Sequence, residues 1–335
     1  MRRTSIKPRK LHSLAVAYLA TLPAYQPSPK GGRPRTYDDA LILTIASIQN
    51  LNSYSFREAL EYCEDYFSDL PALSSYYDRL ALFTPTIAQG FIAYIGKQIV
   101  LTNHKSTNAP TKGRVFIMDG TGFSFFDCYP MKLFRGLEIR KIRNHVKIGA
   151  LISRAGKRRF VVSAQAGPPY AGDTTLLYPL LAQLPQGEGA VLGDKGFDSI
   201  RIMTMIMEKG YYPVIPLKEG NVVHPIRKLS AENAAHDLYG LRPLVEGLFG
   251  NVKQKLSSHV CTFNLEIAQT FALLRFALLN VSVLVAIEQE QLWWIWFPNS
   301  AIARVSKILL LYTLNYEIPP YPFSYNYRKL HVTPI

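Results

Sequence analysis

The spacing of apolar residues changes character near residue 110 of this 335-residue chain. Before that point, apolar positions separated by polar stops predict four helices. Thr36 or Asp38 can cap one that runs to about Leu51, and Ser55-x-x-Glu58 is a capping box opening a second, to about Phe67. Pro71 ends that pair. Ser75-x-x-Asp78 reads as another box, opening a short helix to Leu82, and Thr84-Pro85 starts a longer one to about Val100. After residue 110, β-branched and apolar runs bounded by Gly, Pro and charge take over. Residues 114–123, 145–153 and 160–166 read as three consecutive strands of a meander. Asp173 caps a helix to about Leu184, residues 190–192 form a fourth strand, Asp198 caps a helix ending at Gly210, and residues 211–217 form a fifth strand. Another helix follows residue 236. The most apolar stretch, residues 271–287, is interrupted by Arg275, Asn280 and Ser282, which predicts a buried helix and no membrane span.

Composition adds scale. Apolar residues make up 48% of the chain, which excludes global disorder, and its length suits two domains or one elaborated α/β domain. Charge changes the picture more. The net charge of +14 is concentrated in two blocks: residues 1–36 hold eight bases and no acid, and residues 132–159 hold ten bases against Glu138 alone. Neutralising a phosphate backbone rewards such clustering, so nucleic acid is the leading partner, with a solvated basic face as the plain alternative. The first block, rich in Pro and Gly over residues 23–36, reads as a mobile basic arm and linker (1–35). Beside it, the short helices of residues 36–105 suggest a helix-turn-helix-like DNA-binding domain. Ser74, Ser75, Tyr76, Tyr77 and Arg79 would then open the recognition helix. Plain all-α domains show the same triplets. The three cysteines, Cys63, Cys128 and Cys261, have no zinc spacing and read as reduced core residues of a cytoplasmic protein. The apolar run 14–22 is too short and too interrupted for a signal peptide.

Three acids stand in positions that chemistry could use. Asp119 follows the apolar run Ile117-Met118 and precedes Gly120, so a carboxylate at a strand end can approach a cation without burying an unpaired charge. An Asp-Gly turn explains the same residues. Asp194, in Gly193-Asp194-Lys195-Gly196, repeats the arrangement after a second strand, while Asp198 has a role as a helix cap. In the segment from Tyr239 to Lys253, Arg242, Glu246 and Lys253 fall within about 40° of one another on a helix. A carboxylate between two bases suits a metal beside a phosphate backbone, and an ordinary Arg242–Glu246 ion pair explains it equally well. Pro243 fits best as the first helical residue, which puts Tyr239 ahead of the helix.

Tyr239, two residues, Arg242, three residues, Glu246, six residues, Lys253 resembles the Y-R-E-K signature of the DDE transposases of prokaryotic insertion sequences. Asp119 in Asp-Gly-Thr-Gly-Phe and Asp194 in Gly-Asp-Lys-Gly-Phe-Asp-Ser are similar to that family's first and second acidic motifs, and Gly32-Arg33-Pro34-Arg35-x-Tyr37 to its N-terminal region. The likeness spans roughly residues 32–290. It implies an α/β, ribonuclease H-like catalytic domain over residues 110–290: a mixed five-stranded sheet flanked by helices, in agreement with the β-β-β-α-β-α-β order. It further implies that Asp119, Asp194 and Glu246 bind two Mg2+ ions, with Mn2+ able to substitute, for cleavage and strand transfer of DNA. Tyr239, Arg242 and Lys253 would contact transposon-end DNA, with Arg33, Arg35 and Arg79 as further DNA-binding candidates. The partners implied are double-stranded DNA, as terminal inverted repeats and target, and a second copy in a homodimer, acting at the nucleoid of a prokaryotic cytoplasm. A metal-dependent nuclease without strand transfer and a catalytically inactive, transposase-derived DNA-binding protein are the alternatives. Pro243 departs from the more usual polar residue, residues 219–237 are a short insertion, and the Pro- and Tyr-rich tail 291–335 lies outside the likeness.

Overall fold

Three long strands form the meander, and each runs further than its apolar core. The structure, a computed structural model, describes residues 6–23, 37–107, 114–132, 139–169, 171–220, 224–235 and 237–296. Strands β1 (Arg114–Lys132), β2 (Ile139–Ala155) and β3 (Arg158–Gly167) pair antiparallel; β4 (Gly189–Leu192) joins β1 in parallel, and β5 (Tyr211–Val214) joins β4. The resulting order β3-β2-β1-β4-β5 is that of a ribonuclease H-like sheet. A sixth strand, β6 (His259–Val260), pairs with β1 at Ser124–Phe125. Two residues give no periodic signal, so the expectation of five strands is corrected to six.

Among the described residues five helices precede the sheet: α1 (Pro8–Leu19), α2 (Asp39–Asn52), α3 (Phe56–Glu64), α4 (Leu73–Ala81) and α5 (Pro85–Thr107). Asp38 caps α2 by accepting the Ala40 N–H, and both halves of the Ser55–Glu58 box form at α3. α4 instead starts at Leu73 behind Ala72, without a side-chain cap, which puts Ser75 inside the first turn. The larger correction is α1. Residues 8–19, read as part of a mobile arm, form a helix that buries Leu11, Leu14, Ala15, Tyr18 and Leu19, and the Tyr18 hydroxyl donates to the Ile87 carbonyl at 2.9 Å. Apolar residues at helical spacing outweigh the flanking bases, whose stems can lie on the solvent face.

The remaining helices are α6 (Asp173–Ala182), α7 (Ile200–Glu208), α8 (Pro225–Ala234), α9 (Pro243–Leu256) and α10 (Leu265–Trp296). Asp173 is the first residue of α6, not its cap, and Ser199 rather than Asp198 precedes α7. Asp198 is buried, pairs with Arg227 of α8 at 3.0 Å and accepts the Lys218 N–H at 2.9 Å. It ties the loop after β5 to α8, a helix within the segment read as a short insertion.

One face of the sheet is covered by α6 and α7 through Leu177, Leu181, Met203 and Ile206. The other face shares a single core with α1, α2, α5, α9 and α10. The helices read as a separate DNA-binding region are therefore continuous in packing with the sheet. Chain units divide instead at residue 288, giving Met1–Ile287 and Glu288–Ile335. α10 is apolar enough over Leu265–Gln291 to match a membrane span in length, yet 89% of its most apolar window is buried within the fold, as its polar interruptions predict. Cys63 is buried as expected, whereas Cys261 is exposed and Cys128 lies where side chains are not described.

Candidate active site

Register brings the two aspartates together. β1 and β4 run parallel with Ile117 opposite Leu192, and Asp119 and Asp194 each lie two residues beyond that pair. Neighbouring strands are about 4.8 Å apart, so the two acids emerge side by side. β1 does not end at Asp119 as expected; what ends there is its parallel neighbour, because β4 stops at Leu192 while β1 continues against β2. Losing that neighbour opens the sheet beside both carboxylates.

Each aspartate is anchored by a glycine amide. The Gly120 N–H donates to Asp119 Oδ1 and the Gly196 N–H to Asp194 Oδ1, both at 2.8 Å. A Cβ on Gly196 would fall 2.7 Å from Asp194 Oδ1, so a side chain there would push against the carboxylate it holds.

The third acid arrives on α9. Arg242 is the residue before the helix, Pro243 its first, and Tyr239 lies upstream in a 3-10 turn, Asp237–Leu241. Val245, Leu248, Phe249, Val252 and Leu256 face the core, which leaves Glu246 of the first turn outward. Arg159 of β3 donates from Nη1 to the Leu244 carbonyl at 3.1 Å, and a Cβ on Gly247 would fall 2.8 Å from that nitrogen. The absence of a side chain at Gly247 thus lets α9 seat closely against β3, next to Glu246.

All three acids meet at one guanidinium. Arg242 Nη1 hydrogen-bonds Glu246 Oε1, and Nη2 lies 3.5 Å from Asp119 Oδ2 and 3.8 Å from Asp194 Oδ2. The acid side chains run from sheltered to open, at 15% exposed for Asp119, 38% for Asp194 and 56% for Glu246, so the cluster is approachable from one side. Three carboxylates against one guanidinium leave an excess of negative charge. Burial is the main reason the Asp119 carboxyl is pushed above the ordinary carboxylate range; Gly120 and Arg242 oppose the rise, and Asp194 and Glu246 add to it. The Tyr239 phenol is likewise raised, first by burial, with Arg242 opposing and Asp194 reinforcing. The Lys253 ammonium is not at the cluster. It lies 5.7 Å from the centre of the Phe123 ring, where burial lowers its pKa.

Other candidates fare differently. Arg79 is engaged internally: Nε and Nη2 donate to Asp39 Oδ1 and Oδ2 at 2.6 and 2.7 Å. Tyr76 is fully buried with its hydroxyl on Gln49 Oε1 at 2.8 Å, so one of the five expected recognition residues points into the core while Ser74, Ser75 and Tyr77 stay exposed. Arg33 and Arg35 lie outside the described residues. Supporting residues that motif reading missed include Arg159, Arg275 and Asn280. Arg275 donates to the Ser257 and His259 carbonyls at 2.8 Å each, fixing the turn from α9 into β6. Arg275 and Asn280 were signalled as polar residues inside an apolar run, whereas Arg159 only ends a basic run.

The donor chemistry of the cluster, three carboxylates with excess negative charge, fits a hard divalent cation. Among the described residues no three His, Cys, Asp or Glu side chains stand close enough to hold a metal ion as they are; the Arg242 fork stands between the acids instead.

The transposase DDE domain family matches residues 110–281, about half of the chain. An uncharacterised protein of Aquifex aeolicus is 26% identical over 266 residues, covering 76% of this chain and 80% of that protein. Among solved structures, the piggyBac transposase synaptic complex with hairpin DNA is similar with a TM-score of 0.43 at 9% identity, over 84% of this chain and 73% of that one.

Proposed function

The chain belongs to the transposase DDE domain family, and from that premise we propose that it binds transposon ends and performs metal-dependent cleavage and strand transfer of DNA at Asp119, Asp194 and Glu246. One observation carries this reading. Three carboxylates that are remote in sequence, on β1, after β4 and on α9, reach the same guanidinium at an open edge of the sheet.

Asp119 and Asp194 would hold Mg2+, with Mn2+ able to replace it, and Glu246 would complete the ligand set from the helix. When bound, a metal pair supplies activation of the attacking hydroxyl and stabilisation of the departing oxygen in an in-line displacement. The protein's own contribution is positioning. The glycine amides hold one oxygen of each aspartate while the other faces Arg242, and the hydrogen bond from Arg159 to α9 helps to seat Glu246. Arg242 offers a planar fork to a backbone phosphate. Tyr239, ahead of the helix and partly buried, offers an aromatic face near the cut end, and Lys253, farther along α9, adds a charge along the strand. Holding two DNA ends for joint transfer would take two copies of the chain, the homodimer that the family resemblance implies.

The test is cleavage of DNA carrying the element's terminal repeats, with Mg2+. Asp119→Asn, Asp194→Asn and Glu246→Gln should each abolish cleavage, a loss of at least about 10³-fold, while DNA binding persists. Undiminished cleavage by any one of them removes that residue from the site. Cut ends without joined product would support a nuclease lacking strand transfer.

A further inference from the structure

We propose that Arg242 is the resident counter-cation of the acid cluster and that a DNA phosphate is what draws it away, so that DNA occupancy sets the cluster's affinity for metal. The inference rests on the reading of Asp119, Asp194 and Glu246 as metal ligands. It concerns what occupies that site before DNA arrives.

The geometry carries it in three steps. First, among the described residues the Arg242 guanidinium is the only base paired with any of the three acids. It contacts oxygens of all of them, so a cation entering between the same oxygens meets a positive charge already there. Second, the fork is incompletely matched. Among the described residues its one hydrogen bond goes to Glu246, its distances of 3.5 and 3.8 Å to the aspartates exceed hydrogen-bond length, and its buried Nε finds no partner. A guanidinium with most of its donors unmatched is poised to exchange partners. A phosphate presents two oxygens in the plane that the fork matches, which separated carboxylates do not. Third, the exchange needs little rearrangement. Arg242 sits at the helix start with its side chain 22% exposed, on the side of the cluster where Glu246 is open.

Withdrawing the guanidinium onto a phosphate leaves three carboxylates without their cation, which is the state that attracts a divalent ion. By linkage, whatever DNA adds to metal affinity metal adds to DNA affinity. The protein alone would hold metal weakly, and the metal-loaded cluster would form where a phosphate backbone already lies across it.

Mn2+ binding to the full chain, followed by electron paramagnetic resonance of the free ion, tests this with and without a short blunt-ended DNA duplex. Wild type should bind Mn2+ on the order of tenfold more tightly with the duplex present. Arg242→Gln should gain a similar factor in the absence of DNA and little more on adding it; Arg242→Met should do the same and guards against a defect peculiar to the amide. DNA oxygens that touch the ion directly would raise the affinity of wild type and variants alike, so the quantity read is the excess of the wild-type gain on adding DNA over the gain of the variants. A wild-type affinity indifferent to DNA overturns the inference. So does an equal gain in the variants with and without DNA, since that is plain removal of a charge. Asp119→Asn separates the two levels of argument: if it binds Mn2+ as wild type does, the metal-site reading fails, and if it loses Mn2+ while Arg242→Gln behaves as wild type, the counter-cation inference alone fails.

Discussion

Replacing Arg79 by alanine separates two meanings of α4, a helix that reads DNA and a helix that closes a core. Arg79 grips Asp39 with both teeth of its fork, at 2.6 and 2.7 Å. Asp39 is only 2% exposed. Truncating one partner of a buried pair typically costs about 3–5 kcal/mol, because the remaining charge stays out of water. Two features reduce that here. The Arg79 side chain is 28% exposed, so solvent already screens part of the attraction, and Asp39 keeps a further contact. The expected loss is about 2 kcal/mol, read as a lower urea midpoint with an unchanged slope. Removing both charges, in Asp39→Leu/Arg79→Leu, should cost less than Arg79→Ala alone, since no buried carboxylate is left behind. DNA affinity should fall only as far as the fold does. If Arg79→Ala unfolds within about 0.5 kcal/mol of wild type yet loses DNA binding, the core-closing reading is wrong and α4 is a recognition helix after all.

Three further outcomes follow from the same geometry. Asn280, fully buried on α10, accepts the Val161 N–H at 2.8 Å and donates to the Val161 carbonyl at 2.7 Å; Asn280→Ala strands two buried backbone groups and should destabilise by about 2–5 kcal/mol in chemical denaturation. The folded Asp119 carboxyl titrates above its ordinary value of 3.8, so the folded state holds its proton longer and stability declines as pH rises through that window. Metal-free Asp119→Asn, which has no charge to bury, should therefore melt higher than wild type at neutral pH, and the gain should vanish as pH falls to the carboxylate range; a pH-independent difference would count against a strained carboxylate. Lys253→Met should leave the fold intact, because an apolar side chain suits the place beside the Phe123 ring, but weaken DNA binding and lower the slope of log affinity against log salt by about 0.9, and an unchanged slope would mean that Lys253 touches no phosphate.

Signals confined to a few neighbouring residues were legible in the sequence. The Ser55–Glu58 box, the Pro243 start of α9 and the glycines beside Asp119 and Asp194 form as local stereochemistry requires. What failed depended on distant partners. Asp198 has the right neighbours for a helix cap, yet Arg227 and the Lys218 amide hold it elsewhere. Residues 8–19 have the charge of an arm, yet their buried stripe finds α2 and α5 to pack on. β6 exists because Ser124 and Phe125 offer it a free edge, which no property of His259 or Val260 announces.

The candidate site shows the same division at higher stakes. Local pattern singled out Asp119, Asp194 and Glu246 one by one and offered Arg242 two roles, a hydrogen-bonded partner of Glu246 or a DNA contact. Both roles treat it as belonging to one helix. The parallel register of β1 and β4 and the close seating of α9 on β3 bring the two aspartates within its reach as well. A residue that contacts three acids would compete with any cation drawn to the same oxygens. On the proposed reading of this site, the order in which DNA and metal arrive is the property that its geometry makes most open to measurement.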